Sequence, residues 1–327
     1  MAATVNTVTG PISTNELGLT LMHEHFFFGY PGYQGDSTLG PFDRDAVVAA
    51  SVEVAEAAKA HGVKTVVDAT PNECGRDPEM LREVSERSGV QIVCSTGFYY
   101  EGEGAPAYFK FRQSLGTAEG EIEEMFLKEI SDGIGTTGIK PGVIKLASSK
   151  DTITDYEAMF FRTGAKAQRE TGIPIITHTQ EGTMAPEQAT MLIAEGAAPS
   201  RVMVGHMDGN TNPDYHRATL ERGVSIAFDR IGLQGIVGMP MDEDRYTVIL
   251  DLLKDAGNAN KIMLSHDTVN VWLGRPPVMP DALGALLANW RITHLFENFI
   301  PTLKERGVTS EQVNTMLVEN PKRLFGG

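Results

Sequence analysis

Short runs of β-branched and aliphatic residues recur along the chain, each entered through a glycine that closes a polar, helix-like stretch. KAHGVKTVVDAT, SERSGVQIVCSTG, QRETGIPIITHT and LERGVSIAFD all follow this order. Glycine accepts the left-handed conformation that ends a helix, so each block reads as a helix cap passing directly into a buried strand. The runs predict strands over 17–25, 63–69, 91–96, 143–147, 174–178, 201–206, 224–228 and 261–267. Between them, 45–60, 78–88, 119–133, 156–171, 186–195 and 243–256 carry the apolar spacing of amphipathic helices. Strands alternating with helices in this way predict an α/β fold, a (β/α)8 TIM barrel in which residues 1–327 form a single domain.

Three connections are long: 97–116, 230–243 and 268–293, the last carrying Trp272, Pro276, Pro277 and Trp290. Barrels of this kind vary their chemistry through the loops that follow the strands, so these segments are read as the walls and lid of a pocket. A long loop packed only for stability is the competing reading for each.

Several predicted strands end on residues that carry chemistry. His23 and His25 stand two apart, so they share one face of the first strand while Glu24 points to the other. The pair can hold one metal ion or can serve as two hydrogen-bonded structural histidines. His178 and His206 close two consecutive strands and suit a second ion; singly, each also reads as a core histidine, as do His61, His216 and His294. His266 precedes Asp267 on the same strand and faces away from it.

Lys145 lies inside the apolar run GVIKLAS, where burial should depress its pKa and leave a nucleophilic amine. That amine can take up carbon dioxide to give an anionic carbamate able to bridge two cations. An ion-paired lysine and a Schiff-base lysine are the alternatives. Asp267 closes the eighth strand and, when ionised, can both bind a metal and accept a proton from a bridging water. Two ions about 3.5 to 4 Å apart would bring the pKa of that water toward neutrality and polarise a carbonyl or phosphoryl oxygen, so hydrolysis is the expected reaction.

Composition narrows the partners. Of 327 residues, 28 are basic and 43 acidic, a net charge of −15 whose field disfavours nucleic acid and anionic membrane surfaces. The hydrophobic fraction of 41% supplies an ordinary globular core, and no apolar stretch is long enough to cross a bilayer. Residues 1–14 lack a signal-peptide pattern, so a cytoplasmic location is expected. Cys74 and Cys94 are the only cysteines and form no CxxC pair, which argues against a disulfide scaffold or a thiolate zinc site. Residues 133–138 spell GxGxxG, but they follow a helical segment and precede a strand, the reverse of the dinucleotide fingerprint. There is no Walker A sequence and no GxSxG elbow.

HEH on the first strand, VIKLAS on the fourth, ITHT on the fifth, VGHMD on the sixth, FDRIGL on the seventh and LSHD on the eighth together resemble the phosphotriesterase family of the amidohydrolase superfamily. GFYYEGEGAPAYFKFR, GHMDGNT and WLGRPP look most like its phosphotriesterase-like lactonases acting on γ- and δ-lactones. The resemblance implies two divalent metal ions, zinc foremost, with cobalt, manganese or iron(II) as alternatives. His23, His25 and Asp267 would bind the more buried ion and His178 and His206 the more exposed one, with carboxylated Lys145 bridging both. It further implies that Asp267 accepts the proton and that Tyr99 is the lactonase tyrosine near the substrate carbonyl. Tyr99 also reads as an aromatic wall residue with its hydroxyl satisfied. Arg230 occupies the place where true triesterases carry a histidine, a departure that favours the lactonase branch. Asp208 is expected to pair with Arg230 behind the metals, and Trp272 to stand at the mouth of the acyl pocket. A homodimer is implied as well.

The leading expectation is a hydrolase that opens small neutral lactones, acyl-homoserine lactones among the candidates, to hydroxy acids, with weak side activity on organophosphate triesters. A native triesterase, a Schiff-base aldolase built on Lys145 and a non-catalytic metal-binding barrel are the alternatives.

Overall fold

The computed structural model describes residues 3–38, 42–104, 106–278 and 280–327. A small antiparallel hairpin, β1 (Thr4–Thr7) and β2 (Gly10–Ser13), precedes the main sheet. The main strands are β3 (Leu19–Phe28), β4 (Val63–Asp68), β5 (Gln91–Gly97), β6 (Val143–Ser148), β7 (Ile175–Thr179), β8 (Val202–Val204), β9 (Ser225–Phe228), β10 (Ile262–Leu264) and β11 (Val269–Trp272). They lie in the order β10-β9-β8-β7-β6-β5-β4-β3-β11, every ladder parallel. Together with the intervening helices this is the expected single (β/α)8 barrel.

The helices begin and end where local chemistry dictates. Asp77 accepts from the Glu79 and Met80 backbone N–H groups ahead of the helix Pro78–Ser88, and Thr154 and Glu157 form a reciprocal capping box at the start of Asp155–Thr171. Both helices stop at a left-handed glycine, Gly89 and Gly172, before the next strand. The expected 243–256 helix is shorter, Asp242–Leu252.

Alternation along the strands sorts the core. Val67, Val93, Val143, Ile176, Met203, Ala227 and Met263 form one central cluster, plugged by Val5 of the hairpin and by Leu324 and Phe325. Ile144, Ile175, Val202, Ile226 and Ile262, on the opposite faces of the same strands, pack beneath the helices. Two residues beyond the central layer lie Ser95, Lys145, His178, Gly205, Asp229 and Ser265, so the period of two sets polar groups above an apolar floor.

Closure between β10 and β3 departs from regular pairing. The expected strand 261–267 stops at Leu264, and β11 pairs with the upper part of β3 instead, Val269 opposite His25 and Val271 opposite Phe27. Across the gap, the His23 N–H donates to Ser265 Oγ at 3.1 Å, the Asp267 N–H to the His23 carbonyl at 3.0 Å, and the His25 N–H to the Thr268 carbonyl at 2.9 Å. The Glu24 carboxylate holds the intervening turn. It accepts from Ser265 Oγ–H, the His266 N–H and Nδ1–H, and the Thr268 N–H and Oγ1–H. No helix among the described residues is long and apolar enough to cross a membrane.

Candidate metal centre at the carboxyl end of the barrel

His23, His25, Lys145, His178, His206 and Asp267, expected from the sequence to converge, do so at the carboxyl ends of the strands, and all are buried. Lys145 Nζ lies 3.0 Å from His23 Nε2. Asp267 Oδ1 lies 3.2 Å from His23 Nε2 and 2.9 Å from His25 Nε2, while Asp267 Oδ2 lies 3.6 Å from His206 Nε2. The His178 and His206 rings meet edge to face at 4.5 Å between centroids. His206 and Asp267 both take left-handed backbone conformations, φ 56° and 54°, so each lies just past a strand end rather than within it.

Glycine is required behind this cluster. A Cβ at Gly97, whose φ is +137°, would fall 1.8 Å from the Lys145 carbonyl oxygen. The Lys145 strand can therefore pack this closely only against a bare backbone.

Burial sets the charges. It lowers Lys145 to about 8, with Asp267 and Asp229 pulling the other way. Burial, reinforced by Arg230, lowers His206 to about 3, and burial with His206 and Arg230 lowers His178 far below the ordinary imidazole range. Burial alone would raise Asp267, but His23, His206 and Arg230 outweigh it and keep the carboxyl ionised well below its usual range.

These donors suit a divalent transition ion. Burial keeps the His23, His178 and His206 imidazoles neutral, the Asp267 carboxylate is ionised, and His178 Nδ1 is buried with no hydrogen-bond partner while its Nε2 lies 2.7 Å from Gln180 Oε1. A buried ring nitrogen with an unused lone pair is what an ion would occupy. His23, His25 and Asp267 also present ligand atoms within 4.8 Å of one another.

Each ring is steadied on its second nitrogen. His25 Nδ1 meets Thr70 Oγ1 at 2.8 Å, His178 Nε2 meets Gln180, and His23 and His206 both turn Nδ1 to Asp229. Thr70, Gln180, Asp229 and Glu24 are absent from the sequence-derived set. Asp229 follows the apolar run 224–228 directly, the same signal that selected the other strand-end residues. The partners of Glu24 lie more than 240 positions away and leave no local trace.

The expected Asp208–Arg230 ion pair does not form. Arg230 Nε donates to Asp267 Oδ2 at 2.8 Å, and only the Arg230 backbone N–H reaches Asp208, at 3.0 Å. Asp208 lies in the turn Met207–Gly209 behind the strand ends, where its carboxylate binds Arg245 Nε at 2.9 Å. Arg245 also holds Asp242 and the Leu233 and Pro240 carbonyls, so this buried pair fixes the loop that carries Arg230. Arg230 Nη1 is buried without a partner.

Above the cluster is a cavity of about 450 Å³ whose walls come from the three long connections and the Phe28–Tyr30 end of β3. Tyr99 packs edge-on against His178 at 4.9 Å, and burial holds its phenol protonated. Trp272 stacks on Tyr30 at 6.1 Å and meets Phe28 edge to face. His61, His216 and His294 lie elsewhere. His216 bonds to the Asn212 and Met207 carbonyls and His294 to Asp242, both as packing residues.

Fold and cluster together define a (β/α)8 barrel whose strand-end histidines and aspartate could hold a metal ion. The sequence pattern of the phosphotriesterase family matches residues 3–325, and the chain belongs to that family of hydrolases. It is 34% identical over 319 residues to an aryldialkylphosphatase of Saccharolobus solfataricus, covering 96% of each chain. The solved organophosphorus hydrolase from Deinococcus radiodurans is 59% identical, with a TM-score of 0.97 over 99% of this chain and 97% of that one. A solved chain engineered for organophosphate hydrolysis from a weak promiscuous lactonase template is 57% identical, with a TM-score of 0.97 over 99% of this chain and 100% of its own.

Proposed function

We propose that this chain is a binuclear metal-dependent lactonase that opens γ- and δ-lactones to hydroxy acids and hydrolyses organophosphate triesters weakly. His23, His25 and Asp267 would hold one ion, His178 and His206 the other. Two divalent ions bound there would supply Lewis-acid polarisation of the substrate oxygen and a lowered pKa for the attacking water. Zinc is the proposed native ion and a homodimer the proposed assembly.

A carbamate of Lys145 would supply anionic oxygens to the two ions. Its uncharged amine, favoured by a pKa of about 8, adds to carbon dioxide: the N–C bond forms as one C–O π bond breaks to leave a carboxylate oxygen, and an amine proton departs to solvent, so a neutral amine becomes an anion beside the imidazoles. Tyr99, kept protonated by burial, faces the cavity beside His178 as a hydrogen-bond donor to the substrate's oxygen. Trp272 and Phe28 supply an apolar wall for the rest of a neutral substrate.

The observation that carries the lactonase reading is the contact of Arg230 Nε with Asp267 Oδ2 at 2.8 Å. Asp267 accepts the proton of the attacking water, but a guanidinium cannot relay it onward, because arginine stays protonated. A lactone needs no relay. Its leaving alkoxide remains tethered to the acyl fragment and takes the proton from Asp267 directly.

The activities of the Saccharolobus and Deinococcus relatives favour a second reading, a native triesterase. Comparing kcat/KM across lactone ring sizes and tail lengths with one aryl dialkyl phosphate decides between them. Lactones are expected to be turned over more efficiently, with activity lost on chelation and restored by zinc or cobalt. Equal or better turnover of the triester would reverse the ranking, and borohydride trapping of substrate on Lys145 would replace both with imine chemistry.

A further inference from the structure

We infer that Asp229 is a positioning residue shared by both ion positions: one carboxylate orients His23 and His206 together, so that the two ions load as a coupled pair. The inference rests on the ligand assignment above and not on the lactone specificity.

His23 Nδ1 lies 2.7 Å from Asp229 Oδ2, and His206 Nδ1 lies 2.9 Å from Asp229 Oδ1. An ionised carboxylate only accepts, so each ring donates Nδ1–H to it and turns its Nε2 lone pair toward the Lys145 and Asp267 side. The two rings stack with centroids 4.8 Å apart, at 24°. Each belongs to a different ion, so Asp229 is a single rigid link between them.

The surroundings are built to seat this carboxylate. Asp229 is wholly buried, and its Oδ1 also accepts the His206 backbone N–H at 2.6 Å, which steadies the left-handed conformation that turns His206 into the site. A Cβ on Gly205 would lie 2.8 Å from Asp229 Oδ2 and 2.3 Å from the Thr177 carbonyl oxygen, so glycine leaves the room the carboxylate needs.

Asp229 could instead be taken as a third ligand, since it groups with His23 and His206. The orientation of the rings argues against that. Both meet Asp229 through Nδ1, whereas their Nε2 atoms face Asp267, His23 at 3.2 Å from Oδ1 and His206 at 3.6 Å from Oδ2, so Asp229 lies behind the rings, on the side away from the cluster. An ion that engages Nε2 of one ring fixes Asp229 and thereby orders the other ring, so the second ion meets a site whose ordering is already complete.

The test is titration of metal-free protein with cobalt(II), followed by visible absorption and equilibrium dialysis. Wild type is expected to take up two ions cooperatively. Asp229→Asn is expected to weaken both by about 10- to 100-fold and to reduce the cooperativity. Thr70→Ala, whose lost hydroxyl meets His25 but no other proposed ligand, should weaken one ion alone. Weakening of a single ion by Asp229→Asn, or of neither, would overturn the inference. Nitrogen-15 spectra of the metal-free wild-type rings give a readout independent of folding in the variant: His23 and His206 must both carry the proton on Nδ1, and either ring protonated on Nε2 refutes the link. A protein that loads both ions cooperatively yet ignores lactones would refute the lactonase reading and leave this one standing.

Discussion

The Glu73 carboxyl accepts the Tyr99 backbone N–H on Oε1 at 2.7 Å and buries Oε2 without a partner. Burial raises its pKa to about 8, against the opposing pull of that N–H and of Arg76. The folded chain therefore keeps a proton that the unfolded chain, titrating at about 4.3, has released. The stability this contributes is complete below the unfolded value and is lost as pH rises through about 8. Thermal midpoints measured between about pH 5 and pH 9 should fall in wild type and stay flatter in Glu73→Gln, which gains most at the alkaline end; parallel profiles would show that the proton is not held there. At Tyr99 itself, removing the donor should cost turnover without costing metal. Tyr99→Phe is expected to lower kcat for lactones by on the order of 100-fold at unchanged metal content, and a wild-type kcat would return the residue to the status of a wall. At this scale the sequence was informative wherever position on a strand decides direction, as for His23, His25, Lys145 and His178. It failed for Asp208, because the partner of a buried carboxylate depends on where a distant loop brings Arg245.

Among the elements, the turn after β10 depends most on a single side chain. Glu24 satisfies two hydroxyls, two backbone N–H groups and one imidazole there, and that turn aims Asp267 into the cluster. Glu24→Ala strands those donors in a dry interior, with an expected destabilisation of about 3 to 5 kcal/mol, measured by denaturant unfolding. A loss below about 1 kcal/mol would mean the turn is held by other groups. The main strands and their helices were legible because apolar period and glycine caps agree. The hairpin Thr4–Thr7 and Gly10–Ser13 and the strand Val269–Trp272 were not, being four residues each and stabilised by pairing rather than by any periodic signal. Barrel closure was hidden for the same reason: it replaces a regular ladder with two backbone hydrogen bonds, the Ser265 hydroxyl and the Glu24 carboxylate.

For the molecule as a whole, a net charge of −15 surrounds a cavity whose wall includes Phe28, Tyr30, Tyr99 and Trp272. The field disfavours approach of anions and leaves neutral ligands unaffected. Raising ionic strength from about 10 mM to about 200 mM should leave kcat/KM for a neutral lactone unchanged and raise it for an anionic one. A fall with salt for the anionic substrate would mean that Arg230 and Arg275 at the cavity dominate over the global charge. The single-domain architecture could be read from the sequence because each strand–helix unit repeats one pattern, while the cavity shape could not, since it depends on how three long loops settle over the mouth.

The contact between His23 and Asp267 joins the first barrel strand to the turn after the last. A nascent chain leaving the ribosome therefore exposes its leading histidines long before their acidic counterpart has been synthesised. Until that turn emerges, the growing polypeptide lacks part of its candidate ligand cluster and has an unsealed flank on its first strand, so the cluster can assemble only once the barrel has come full circle.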